Sequence, residues 1–190
     1  MASTRARAVD AAIDLLGTEG LRSLTHARVD QRAGLPRGST SNYFRTRQAL
    51  LIGVVDGILE RELPEVGGAM ALDSPTALIE AACAAWEHIS TVDRKATTAR
   101  LVLFLEASHN PELRDALTRG RATMEALGVV ALARLGARDP HTAAAAMAAC
   151  FEGLLLHRIA RDDRTDPRPM ISLIVQAALA DPRGGPDLAS

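Results

Sequence analysis

Three dipeptides limit most sharply what this 190-residue chain can fold into: Ser74-Pro75, Asn110-Pro111 and Asp139-Pro140. In each, a side chain able to accept from the free amides of a helix start precedes a proline. Proline's missing N–H costs nothing at the first helical position, and its fixed φ suits it. A chain punctuated in this way is a string of helices. The spacing predicts them near 75–91, 94–107, 111–135 and 141–162, with a last one near 169–180 after Asp166-Pro167. Aromatic residues make up only 3 %, apolar and polar residues do not alternate, and Ala and Leu dominate, so nothing reads as a strand. The expected fold class is all-α, with about nine helices.

The first fifty residues divide more finely. Val9, Ala12, Ile13 and Leu16 recur at i, i+3, i+4 and i+7, and Gly17 with Gly20 ends that helix. Thr25 is an N-cap for a short helix to about Arg32, and Ala33-Gly34-Leu35 makes a tight turn in which Gly34 supplies a positive φ. Pro36 then opens a second short helix to about Phe44, and a fourth helix spans about 46–63, stopping near Leu63-Pro64 before Gly67-Gly68. Leu21, Leu24, Val29, Ala33, Leu35 and Phe44, with Leu16 beneath, would form the core of this head.

Two short helices joined by a glycine-containing turn make a helix-turn-helix candidate, whose second helix enters the major groove N-terminal end first. The side chains suit that task. Arg37 can bond a guanine in bidentate fashion and Asn42 an adenine, while Gly38 and Ser39 are small enough for close backbone approach. Arg37, Ser39, Thr40 and Asn42 would select sequence; Thr25, Tyr43 and Arg47 would hold phosphates, with His26, Arg28 and Pro36 completing the DNA-facing set. Charge is split in the same sense. Residues 1–50 carry eight arginines against four carboxylates, a balance of +4, whereas the remainder carries −5. A basic head on an acidic body is what contact with a polyanion at one end requires.

The head resembles the N-terminal domain of the TetR family of bacterial transcriptional regulators. The resemblance rests on Ala12, Leu15-Leu16, Gly20-Leu21, Leu24-Thr25, Val29, the run Arg32 to Ser39, Tyr43-Phe44, Arg47 and Leu50. Three positions depart from the family pattern: Pro36 stands where a serine usually caps the recognition helix, Thr40 replaces an aliphatic residue, and Ser41 replaces a tyrosine. The resemblance implies a DNA-binding domain over 1–60 (recognition helix about 36–44, connecting helix 46–63) and a ligand-binding and dimerisation domain over 64–180. The tail 181–190, rich in Pro and Gly, is expected to be disordered.

It also implies that the last two helices pair with a twofold mate. The small residues of 141–162 and the apolar girth of that helix fit such burial. The expected interface residues are Ala145, Ala149, Gly153, Leu156, Ile171, Ile174 and Ala178. Twofold symmetry would demand a near-palindromic operator with recognition helices about 34–36 Å apart or a multiple of that. The middle helices of the family surround a small-molecule cavity, for which Trp86, His88, Phe104, His109, Met124 and Phe151 are the candidate walls. Such a lining favours an apolar or amphipathic effector.

Catalytic and metal signatures are missing from the pattern. The five histidines, at 26, 88, 109, 141 and 157, include no i, i+4 pair, no Cys-x-x-Cys occurs, and the run Gly34 to Asn42 has the wrong spacing for a phosphate loop or a nucleophile elbow. His157 with Asp162 and Asp163 reads as a solvated helix end. No secretion signal or membrane span is expected, Cys83 and Cys150 read as free thiols, and the chain is expected in the cytoplasm, without cofactor or metal. The function expected is a homodimeric, ligand-released repressor whose partners are duplex DNA, a second copy and a small effector. The alternatives are a small α-helical enzyme and a dimeric binding protein without DNA contact.

Overall fold

The structure is a computed structural model that describes residues 3–68 and 72–180; the expected tail over 181–190 lies outside the described residues. Among the described residues there are nine α-helices and one 3-10 turn, and no strand. In chain order they are α1 (Thr4–Glu19), the 3-10 turn Leu21–Ser23, α2 (His26–Ala33), α3 (Ser39–Tyr43), α4 (Arg47–Gly68), α5 (Pro75–Thr91), α6 (Arg94–Ala107), α7 (Pro111–Arg134), α8 (Pro140–Arg161) and α9 (Arg168–Leu179).

The capping dipeptides act as the sequence requires. Ser74, Asn110 and Asp139 accept from the amides of Ala77, Leu113 and Thr142, each with proline in the first turn. Gly34 ends α2 in the left-handed region at φ 61°. Two boundaries differ. Pro36 does not open the recognition helix: its carbonyl accepts from the Ser39 amide in a turn, Gly38 sits at φ 90°, and α3 begins at Ser39. The left-handed Gly38 breaks the helical path that Pro36 would have started. The connecting helix begins at Arg47 and passes through Pro64 to Gly68. Proline takes one donor from the ladder, and Pro64 stands four residues before the end of α4.

One buried apolar cluster runs from head to body. It joins α1 (Ala8 to Leu16), Leu24, Val29 and Phe44 to Leu50, Leu51, Val54, Val55 and Ile58 of α4, then to Leu103 and Ala107 of α6 and Leu113 and Ala116 of α7. The closest approach is between α1 and α6: a methyl group on Gly17 would lie 2.2 Å from the Lys95 carbonyl oxygen. A smaller cluster of Leu132, Ala143 and Ala144, flanked by Leu78 and Ala178, ties α7 and α8 to α5 and α9. Salt bridges cross the same seams, with Arg61 on α4 meeting Asp10 on α1, and Arg100 on α6 meeting Glu62 on α4 at 2.7 Å.

The 22-residue α8 is the described helix with the length and apolarity of a membrane span, at a mean hydropathy of 1.3 over its most apolar window. Here Ala144, Met147, Ala148, Phe151 and Leu155 form one inward stripe of it, facing α7 and a cavity.

Candidate nucleic-acid interface and effector cavity

The geometry of the head follows from a five-residue helix that makes few bonds of its own. Such a helix holds only when its neighbours fix it. Around α3, Arg37, Ser41, Asn42 and Tyr43 are exposed, Ser39 is half-exposed, and Pro36 and Gly38 form the turn that leads in. Thr25 and Arg47 are also exposed. The Thr25 hydroxyl caps α2 by accepting from the Arg28 amide at 3.3 Å, and Arg47 donates to the Leu21 carbonyl at 3.0 Å.

Three members of the expected DNA-facing set are committed elsewhere. Thr40 is fully buried, with its hydroxyl and its amide both donating to Asp30. It occupies an inward position of α3 and cannot reach a base edge. His26 is half-buried, and its Nε2 lies 2.6 Å from the Phe44 carbonyl oxygen, so the ring holds the end of α3. Arg28 donates to Glu19 at 2.5 Å and is charge-compensated in the free protein. Arg22, which the sequence reading left out, and Arg45, which it expected to take up backbone contact with Tyr43 and Arg47, are exposed and have no ionic partner among the described residues, as is true of Arg37. Their arginine identity in a basic head was the available signal.

Asp30 is 3 % exposed. Burial alone would raise its carboxyl pKa, but the Thr40 hydroxyl and the amides of Thr40 and Gly38, with help from nearby His26, hold it below the ordinary value. It therefore stays ionised among three donors.

In the body, a cavity of about 320 Å³ lies between α4, α5, α6, α7 and α8. That volume is at the lower end of small-molecule sites. Of the candidate wall residues, Phe104, Met124 and Phe151 line it, together with Leu103, Leu127 and Leu155. Trp86, His88 and His109 do not. The cavity face of α5 is Leu78, Ala81, Ala82, Ala85 and Ile89, so Trp86 turns about a quarter of the helix away and is buried, with the Arg158 guanidinium 5.0 Å from its ring centre. His88 bonds toward Asp93 at 3.5 Å, and His109 is exposed in the turn before α7.

Five charged side chains interrupt the apolar wall. Arg100 pairs with Glu62, and Arg121 donates to Glu125 at 2.6 Å and to Glu152 at 2.8 Å. Burial would lower the Arg121 pKa, but the two carboxylates raise it. Arg121 and Glu152, with Phe104 and Leu117, also border an outer cleft, so this ion pair stands between the cavity and the surface. Burial raises the pKa of both thiols, Cys83 and Cys150, which are free and half-buried.

The outward faces of α8 and α9 complete the picture. On α8, Ala145 is half-buried, Ala149 exposed, Leu156 47 % exposed, and a side chain at Gly153 would meet open space. On α9 the expected register is partly wrong. Ile171 is fully buried with Val175, and Ala178 packs on the Leu132 cluster, because these positions face α5 and α8. Ile174 is half-buried, and the apolar residue that points outward is Leu173, 67 % exposed.

The Tetracyclin repressor-like, C-terminal domain family matches residues 73–181, more than half of the chain. No curated protein matches at the level of sequence. Among solved structures, a TetR-family transcriptional regulator from Rhodococcus sp. superimposes with a TM-score of 0.79 at 20 % identity, over 95 % of this chain and 100 % of that one. A TetR-family member from Streptomyces coelicolor A3 does so with 0.77 at 25 % identity, again over 95 % and 100 %. The multidrug binding protein EbrR in complex with ethidium gives 0.74 at 25 % identity, over 94 % of this chain and 100 % of that one. With its helix-turn-helix head set on a cavity-bearing helical body of this kind, the chain belongs to the TetR family of transcriptional regulators.

Proposed function

We propose that the protein is a homodimeric repressor that binds a near-palindromic operator and is released from it by a small apolar or amphipathic ligand. The observation that carries the DNA-binding half is the grouping of Arg37, Ser41, Asn42 and Tyr43, all exposed on and just before α3, in a head where Arg22 and Arg45 are also exposed and have no ionic partner among the described residues. Arg37 and Asn42 select bases; Arg22, Arg45, Arg47 and Tyr43 hold phosphates. In this reading residues 1–60 are the DNA-binding unit and 64–180 the effector and dimer unit, with α4 as the lever between them.

The dimer half is supported by the outward stripe Ala149, Gly153 and Leu156 on α8 together with Leu173 on α9, apolar surface that nothing among the described residues covers. The effector half is supported by the cavity and its mostly aliphatic wall. The structural neighbour EbrR is a multidrug binding protein solved in complex with ethidium and with imidazole. A ligand that prefers the dimer with the wrong head separation weakens DNA binding by the ratio of its affinities for the two states, for which a coupling of about 1–3 kcal/mol is typical.

The test is selection of duplexes from a random pool by the purified protein, then a screen of small molecules for release of the selected duplex. An enriched inverted repeat bound by two chains is the expected result. Enrichment of no sequence, or binding by a single chain, would overturn the corresponding half of the reading.

A further inference from the structure

His26 and Asp30 lie four residues apart on one face of α2, and between them they hold both ends of α3. At the start of α3, the Asp30 carboxylate accepts from the Gly38 amide at 2.7 Å, the Thr40 amide at 2.8 Å and the Thr40 hydroxyl at 2.5 Å. At its end, the His26 ring and the Phe44 carbonyl oxygen are 2.6 Å apart. A carbonyl can only accept, so Nε2 carries the hydrogen and donates.

The recognition helix has no cap of its own. Gly38 stands at its N-cap position without a side chain, and its five residues form less than two turns. The donors that a capping serine or threonine would satisfy are satisfied by a residue of the preceding helix instead. The partners are buried, Asp30 at 3 % exposure and Thr40 at 0 %. A carboxylate out of water is costly unless fully bonded, and a fully bonded one admits few alternative geometries. The residues offered to DNA are interleaved with the clamped ones: Arg37 precedes Gly38, Ser39 and Ser41 flank Thr40, and Asn42 and Tyr43 precede Phe44.

We propose that Asp30, with His26, is the positioning element that fixes the tilt and depth of the recognition helix, so that operator discrimination depends on two α2 residues that touch no base. This rests on the DNA-binding reading above. An error of one ångström in α3 would misplace the bidentate contacts of Arg37 and Asn42 while leaving the phosphate-holding arginines at work.

The experiment compares full-length wild type with Asp30→Ala, His26→Phe, Thr40→Val and Thr40→Ser on the duplex that wild type enriches and on a scrambled one. Amide hydrogen exchange is followed in the same samples. Asp30→Ala is expected to lower the ratio of enriched to scrambled affinity by about tenfold or more. It should also speed exchange over 38–44, with α1 and α4 unchanged and scrambled-duplex affinity retained. Thr40→Val falls between, and Thr40→Ser, which keeps the hydroxyl, restores wild-type behaviour. Where Asp30→Ala loses protection throughout the chain, His26→Phe and Thr40→Val, each removing a single bond, carry the test. An unchanged affinity ratio with unchanged exchange at 38–44 overturns the proposal. If wild type enriches no duplex, the DNA-binding reading falls, and exchange over 38–44 alone decides whether α2 holds α3.

Discussion

At the level of single residues, α3 is split between outward and inward duties over a span of five positions. Thr40 and Asn42 are two apart, yet one is sealed against Asp30 and the other is exposed, because successive helical residues turn by about a hundred degrees. That division yields a first prediction. Arg37→Ala should flatten preference at one base pair and cost about 1–3 kcal/mol on the best sequence. Arg22→Ala and Arg45→Ala should weaken enriched and scrambled duplexes alike, each reducing the slope of log affinity against log salt by about 0.9. Binding isotherms over a salt series, with a base-substitution panel, separate the two behaviours. A changed base preference in Arg45→Ala would show that it reads sequence.

At the level of helices, the tightest seam is where α1 meets the first turn of α6. Gly17 has no room for a side chain, since even a Cβ would lie 2.2 Å from the Lys95 carbonyl oxygen and 2.8 Å from its carbon. These are backbone atoms that no rotamer change can move. Gly17→Ala should therefore push α1 and α6 apart and destabilise the protein by about 1–3 kcal/mol, read as a lower denaturation midpoint. A midpoint equal to wild type would mean that the two helices yield freely. Helices α8 and α9 give the complementary case, an apolar face with space beyond it. Leu156→Arg or Leu173→Arg puts a charge on that face without entering the core of one chain. Either substitution should convert a sedimenting dimer into a folded monomer with unchanged helical circular dichroism. A dimer that persists in both variants would place the interface elsewhere.

At the level of the whole molecule, head and body are joined twice, through the continuous apolar core and through a line of charges on its surface. Lys95 of α6 meets Asp14 of α1 at 2.5 Å, Asp14 meets Arg32 of α2, and Arg32 and Arg28 share Glu19. Lys95 first, then Arg32, holds the Asp14 carboxyl below its ordinary value against the raising effect of burial. A carboxylate with a depressed folded-state pKa contributes stability that is complete above its unfolded value, near 3.9, and is lost as pH falls through the lower folded value. Lys95→Met should accordingly cost stability at neutral pH. The cost is small because Lys95 is largely exposed, and about 0.2–1 kcal/mol is typical of such pairs. The difference between wild type and variant should begin to close as pH falls below about 4 and vanish once it is below the depressed folded value. Urea titrations at both pH values test this, and a gap that stays open in acid would refute the assignment to Asp14.

The sequence by itself determined the helices and the character of the head. Capping and φ requirements are local, so Ser74-Pro75, Asn110-Pro111, Asp139-Pro140 and Gly34 could be read from neighbouring residues alone. The arginine-rich helix-turn-helix was legible for the same reason, as was the presence of an aliphatic body. Which face of each helix looks where was decided by the tertiary structure. On α9, apolar residues nearly encircle the axis, so only packing against α5 and α8 could bury Ile171 and turn Leu173 outward. On α5, three alanines with Leu78 and Ile89, rather than Trp86 and His88, proved to be the cavity wall. Thr40 was legible as a departure from an aliphatic position, but its partner Asp30 lies ten residues back on another helix, and a contact across that turn exists only once the helices have packed.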